Sequence, residues 1–147
     1  MTRYMIILNP IAGAGDALKA LPRIKELLTQ YGLNFDISIT DYPGHAIELA
    51  RKAAADGYEY IIAAGGDGTS NEVLNGLMQH KQEHGSFPVM GVIPVGRGND
   101  FAFGADIPVN VDEACSLLAS LPRKWIDIGA VSANGESSVL YFGKGIG

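Results

Sequence analysis

Short apolar runs bounded by turn residues recur along the chain at Tyr4 to Leu8, Phe35 to Ile39, Tyr60 to Ala64 and Val89 to Ile93. Their nearly continuous hydrophobicity is that of strands covered on both faces, as in a parallel sheet. Between them the period changes. Leu18, Leu21, Ile24, Leu27 and Leu28 recur at spacings of three and four, as do Ile47, Leu49, Ala50, Ala53 and Ala54, and then Val73, Leu74 and Leu77. Each set marks one face of a helix. A fourth helix is expected from Val111 to Leu121. Strands alternating with helices imply right-handed crossovers and a three-layer, doubly wound α/β sandwich over residues 1–122.

The alternation stops near Pro122. Trp125 to Val131 and Ser138 to Phe142 read as two further strands, joined at Asn134-Gly135, a dipeptide favoured in two-residue hairpins. Residues 123–147 therefore read as the first strands of a second, β-rich domain. The closing Gly143-Lys144-Gly145-Ile146-Gly147 resembles the middle of a loop, so the expectation is that this second domain is cut short.

Charge narrows the partners. With 11 Lys+Arg against 16 Asp+Glu, the net charge of -5 leaves no basic excess for a nucleic-acid backbone or for electrostatic membrane binding. A small molecule is the expected partner. The single cysteine, Cys115, can neither form an internal bridge nor complete a zinc site, so it reads as an inert core thiol in a reduced, cytoplasmic protein. The first apolar run is too short for a signal-peptide core, and no run approaches the about 18 residues of a membrane span.

Glycine departs most from average usage, at 19 of 147 residues. Gly13 and Gly15 follow the first strand, Gly65, Gly66 and Gly68 the third, and Gly96, Gly98 and Gly104 the fourth. In an open parallel sheet these turns converge on the carboxyl edge, where ligands bind. At Gly65-Gly66-Asp67-Gly68 a buried strand runs into a helix that Thr69 and Glu72 are expected to start as a capping box. Glycines there are expected to supply positive φ and to let a phosphate reach the amides of the helix N-terminus. Asp67 suits such a site if it faces Mg²⁺, directly or through water, or a ribose hydroxyl.

The other loops are less specific. The first has Leu18 where a dinucleotide fingerprint needs glycine, and no G-x-x-x-x-G-K-[ST] occurs anywhere. Asn9 either hydrogen-bonds a nucleotide or closes an Asx turn before Pro10. After the fourth strand, Gly96-Arg97-Gly98-Asn99-Asp100 adds Arg97, a phosphate clamp in form, and Asp100, a second acid. His80 and His84 have the spacing of helical metal ligands but no third ligand nearby, and read as solvated surface. His45 is expected to open the second helix. Trp125 reads as a core or boundary anchor, and Arg123-Lys124 as a solvated turn or a minor contact to anionic headgroups.

Taken in order and spacing, these residues resemble the catalytic-domain family of diacylglycerol kinases and bacterial lipid kinases, to which sphingosine and ceramide kinases are related. Asn9-Pro10-x-Ala12-Gly13-x-Gly15 resembles its opening loop, and Thr40 with Gly44-His45-Ala46-x-Glu48-Leu49-Ala50 its second. Gly65-Gly66-Asp67-Gly68-Thr69-x-Asn71-Glu72-Val73 is similar to a signature shared in shorter form with NAD kinases and 6-phosphofructokinases. Ile93-Pro94-x-Gly96-x-Gly98-Asn99-Asp100-Phe101-Ala102 is similar to the lipid-kinase loop.

The resemblance implies an N-terminal domain of the NAD-kinase and phosphofructokinase type, ATP and Mg²⁺ as cofactors, and transfer of the γ-phosphoryl group to a lipid alcohol such as diacylglycerol. It implies that Asn9, Thr40, Gly65, Gly66, Asp67, Gly68, Thr69, Asn71, Glu72, Gly96, Arg97, Gly98 and Asn99 hold the nucleotide. Asp67 and Asp100 shape the metal and phosphate network by the same implication. It also implies an enzyme at the membrane surface whose general base lies in the other domain, so that this chain alone is expected to be inactive. The family has Thr where Arg97 stands; Arg97 either replaces that hydroxyl contact by a charged one or points away. Alternatives at this stage are a kinase for a soluble acceptor such as NAD, and a non-catalytic module that binds nucleotide or flavin. Open strand edges add a homodimer to the expected partners.

Overall fold

The computed structural model describes residues 2–85, 87–95 and 110–120, and the strand backbones 126–132 and 139–145. Four strands, β1 (Arg3–Leu8), β2 (Asn34–Ile39), β3 (Tyr60–Gly65) and β4 (Val89–Pro94), form one sheet in the order β2-β1-β3-β4. All three pairings are parallel. The apolar runs read from the sequence are these strands to within a residue at each end.

Helices α1 (Asp16–Gln30), α2 (His45–Ala55), α3 (Asp67–His84) and α4 (Val111–Ala119) cover both faces. Side chains alternate along each strand, and each face receives its own helices. Ile6, Leu8, Ile62, Ala64 and Ile93 pack with Ile24, Leu27 and Leu28 of α1 and with Cys115 of α4. Ile7, Ile61 and Ala63 pack with the alanines of α2 and with Val73 and Leu77 of α3. Burying one such Ile or Leu side chain contributes about 1.5–3 kcal/mol, so the paired cores dominate stability.

The α2 face is built from small residues because two helices meet closely on it. A Cβ added at Gly76 of α3 would lie 2.3 Å from the backbone oxygen of Ile47 and 2.9 Å from Cβ of Ala50. Only glycine there lets α3 lie against α2. On the other face, Arg23 of α1 donates two hydrogen bonds to the Asp112 carboxylate of α4, at 3.2 and 2.9 Å. That pairing holds the Asp112 carboxyl below its ordinary range.

Three expectations are corrected by packing. Leu18, counted in the apolar stripe of α1, is 49% exposed, because it lies beyond the edge of the face that Ala17, Ile24, Leu27 and Leu28 bury. His80, read as solvated, is buried, since the α2 side of α3 encloses it; His84 stays at the surface. Strands β5 (Ile126–Ser132) and β6 (Val139–Gly145) form the expected antiparallel pair in a sheet of their own. A two-residue turn at Asn134-Gly135 would set Ser132 opposite Ser137, whereas the register sets it opposite Val139. The expected turn itself, Trp125 and Arg123-Lys124 lie outside the described residues.

Candidate functional site

The chain leaves β1 for β2 through α1 on one face, and leaves β3 for β4 through α3 on the other. The turns after β1 and β3 thus diverge, opening a crevice at the carboxyl edge where open α/β sheets bind ligands. Backbone bonds align the strand ends there. The Thr40 N–H donates to the Leu8 carbonyl at 3.0 Å, Asn9 to Ala64 at 3.1 Å, and Val95 to Gly65 at 2.9 Å. Thr40, Asn9 and Gly65, distant in sequence, consequently stand side by side along one edge.

The Gly65–Thr69 turn is built by lack of space. A Cβ on Gly65 would lie 2.5 Å from Oγ1 and 2.9 Å from Cβ of Thr69, which is buried in the first turn of α3. The N-cap is Gly66, in extended backbone at φ -95° and ψ -162°, and it makes no side-chain cap bond. The expected Thr69/Glu72 capping box is therefore not formed: the helix begins two residues before Thr69, which lies within the first turn. Nor do Gly65, Gly66 and Gly68 supply positive φ; in these two loops that conformation belongs to Gly13, Ala14 and Gly15, at φ 64°, 56° and 94°.

The consequence is chemical. The Ser70 N–H donates to the Gly66 carbonyl at 3.1 Å, so the Gly68 and Thr69 amides precede that i-to-i−4 bond and gain no acceptor from the cap residue. Space beside Gly68 is open, with nothing within 4 Å of where a Cβ would stand. Asp67, half-buried, is the first helical residue; Asn71 and Glu72 follow in the next turn, both half-buried.

Asn9 closes the Asx turn, its Oδ1 accepting the Ile11 N–H at 3.2 Å, which commits the side-chain oxygen and not the Nδ2 group. The first loop goes on to satisfy itself: Ala12 donates to Asn9, Gly15 to Ile11 and Asp16 to Gly13, at 3.1, 3.4 and 3.1 Å. Thr40 is buried at the end of β2. His45 opens α2 as expected, behind Gly44 at φ 89°. Sequence reasoning passed over Tyr42, whose ring stacks on His45 at 4.4 Å between centroids and whose hydroxyl donates to Glu48 at 2.5 Å. The Glu48 bond pushes the Tyr42 phenol above its ordinary range. An aromatic residue two positions after a strand-end threonine was the available signal.

Gly96, Arg97, Gly98, Asn99 and Asp100 lie outside the described residues. Among the described residues, no cluster of three or more His, Cys, Asp or Glu is placed to hold a metal. Cys115 is fully buried, and burial pushes its thiol up to about 11. No helix among the described residues is long and apolar enough to cross a membrane.

Comparison with known proteins agrees with this fold. Residues 3–131 match the family model of the diacylglycerol kinase catalytic domain. The chain is 38% identical over 146 residues to the diacylglycerol kinase of Bacillus subtilis, covering 99% of this chain and 46% of that protein. It is 36% identical over 107 residues to a protein of Xanthomonas euvesicatoria named "Probable lipid kinase YegS-like", covering 73% and 35%. A crystal structure of a diacylglycerol kinase from Bacillus anthracis superposes with a TM-score of 0.75 at 29% identity, covering 96% of this chain and 47% of that one. The chain thus spans between about a third and a half of the length of these relatives. On this match of sequence and fold, the chain belongs to the diacylglycerol kinase catalytic domain family.

Proposed function

We propose that this chain is the ATP-binding part of a lipid kinase that transfers the ATP γ-phosphoryl group to the hydroxyl of diacylglycerol or a similar lipid. The observation that carries this is the N-terminus of α3, which opens behind the side-chain-free Gly66 onto the same sheet edge as Asn9 and Thr40. Amides and the helix dipole there suit phosphate, and the open space at Gly68 admits it. Asn9, Thr40, Gly65, Gly66, Asp67, Gly68, Thr69, Asn71 and Glu72 would hold the nucleotide. Gly96, Arg97, Gly98, Asn99 and Asp100 complete the proposal from outside the described residues.

Asp67, half-buried at the start of α3, fits Mg²⁺ better than a metal held wholly by protein, because magnesium keeps water and phosphate oxygens as its other ligands. Asp67 would hold it, directly or through water. When bound, the ion neutralises phosphate charge; the chain's own part is to grip the phosphates and fix their direction, which is most of what phosphoryl transfer requires of a protein. In this reading residues 1–122 form the nucleotide half, and β5 and β6 belong with the acceptor side, which meets its lipid at a membrane surface.

Calorimetric titration with ATP·Mg²⁺, flavin mononucleotide and NAD tests the proposal. ATP·Mg²⁺ is expected to bind in preference, with Asp67→Asn weakening it about tenfold in the presence of Mg²⁺ and much less in its absence, the size of one charge-assisted contact. Tighter binding of flavin, or indifference to Asp67→Asn, overturns it.

A further inference from the structure

The turn between β2 and α2 carries Thr40 to the crevice, and something must hold it there. One end is pinned by the ladder bond from the Thr40 N–H to Leu8. The other end is pinned by a side chain: the Asp41 N–H donates to Nδ1 of His45 at 2.9 Å. A backbone N–H can only donate, so Nδ1 must be unprotonated and the proton of the neutral ring sits on Nε2. The imidazole is itself fixed. Its side chain is 17% exposed, Tyr42 stacks on it at an interplanar angle of 12°, and Tyr42 is tied to Glu48. The turn closes with the His45 N–H donating to the Tyr42 carbonyl at 3.1 Å.

We propose that His45 is a positioning residue for the nucleotide crevice, acting through Nδ1 and the Asp41 amide to hold Thr40 at the sheet edge. This rests on the nucleotide reading of that edge. The ring acts on the backbone of the turn, through the Asp41 amide that follows Thr40. Only an acceptor at the Nδ1 position serves, and this separates positioning from mere filling of space.

Two isosteric replacements test it, since the Asn side-chain oxygen can stand where Nδ1 stands, whereas Gln places its amide where Nε2 stands. Imidazole ¹⁵N spectra of the 147-residue chain are expected to show Nδ1 as the unprotonated nitrogen. His45→Asn is expected to keep the Asp41 amide protected from hydrogen exchange and to bind ATP·Mg²⁺ within about twofold of wild type. His45→Gln is expected to lose that protection and to weaken binding about fivefold to tenfold, the worth of one hydrogen bond. A protonated Nδ1, or an Asp41 amide equally protected in His45→Gln, overturns the proposal whatever ATP does. Wild-type chain that binds no ATP, with the Asn/Gln difference in exchange intact, instead sinks the nucleotide reading and leaves the clamp standing.

Discussion

Two glycine-rich loops leave adjacent strands at the same edge of the sheet, and they use glycine for opposite reasons. In the loop after β1, Gly13 and Gly15 adopt left-handed backbone, with Ala14 between them forced into it as well. Its Ile11, Ala12, Gly15 and Asp16 amides turn inward onto Asn9, Ile11 and Gly13. In the loop after β3 no glycine is left-handed; Gly65 is needed because Thr69 occupies the space of its side chain, and Gly66 caps the helix in extended backbone without a side-chain bond. One loop spends most of its amides on its own turn, the other opens the first amides of a helix toward the edge. Composition alone makes them look alike.

The contrast between glycine for space and glycine for conformation predicts a ranking of substitutions. Gly76→Ala tests space in its severest form, with backbone rather than a side chain in the way, and should cost about 3 kcal/mol or more in urea unfolding. A loss under about 1 kcal/mol would mean that α2 and α3 slide apart freely. Gly65→Ala should cost about 1–3 kcal/mol, and combining it with Thr69→Gly should recover part of that loss as a positive coupling in a double-mutant cycle. Simple additivity would remove the steric account of that loop.

Conformational glycines should respond more mildly and without such coupling. Gly15→Ala, at φ 94° with nothing within 4 Å of the new Cβ, should cost about 1–2 kcal/mol from backbone strain alone. Ala14→Gly runs the other way: relief of its positive φ is opposed by a more flexible unfolded chain, so a net change within about 1 kcal/mol is expected. The smallest effect concerns an exposed pair outside both loops. Because Arg23 lowers the Asp112 carboxyl, that pair's contribution is present above the ordinary carboxylate range and fades as pH falls through the lowered folded value. The stability difference between wild type and Arg23→Ala should shrink to nothing on acidification, checked by unfolding at a series of pH values.

The sequence alone was enough for the architecture, because period and burial are local properties. A strand covered on both faces must be apolar throughout, as Tyr60–Gly65 is, and a helix lying on it must repeat at three and four, as Ile24, Leu27 and Leu28 do. Parallel topology brings the turns after β1 and β3 to one edge, which is why their glycines could be grouped from the sequence, whereas Thr40 came only from the family resemblance and takes its place beside Asn9 and Gly65 through the ladder bonds. Which atoms each residue commits was not legible. That Thr69 fills the space over Gly65, that Asn9 turns its oxygen to Ile11, that His45 reaches back to Asp41 and that His80 lies buried beside α2 all depend on how helices seat against the sheet and each other. Packing is a property of pairs distant in the chain, and single-residue preferences carry no record of it.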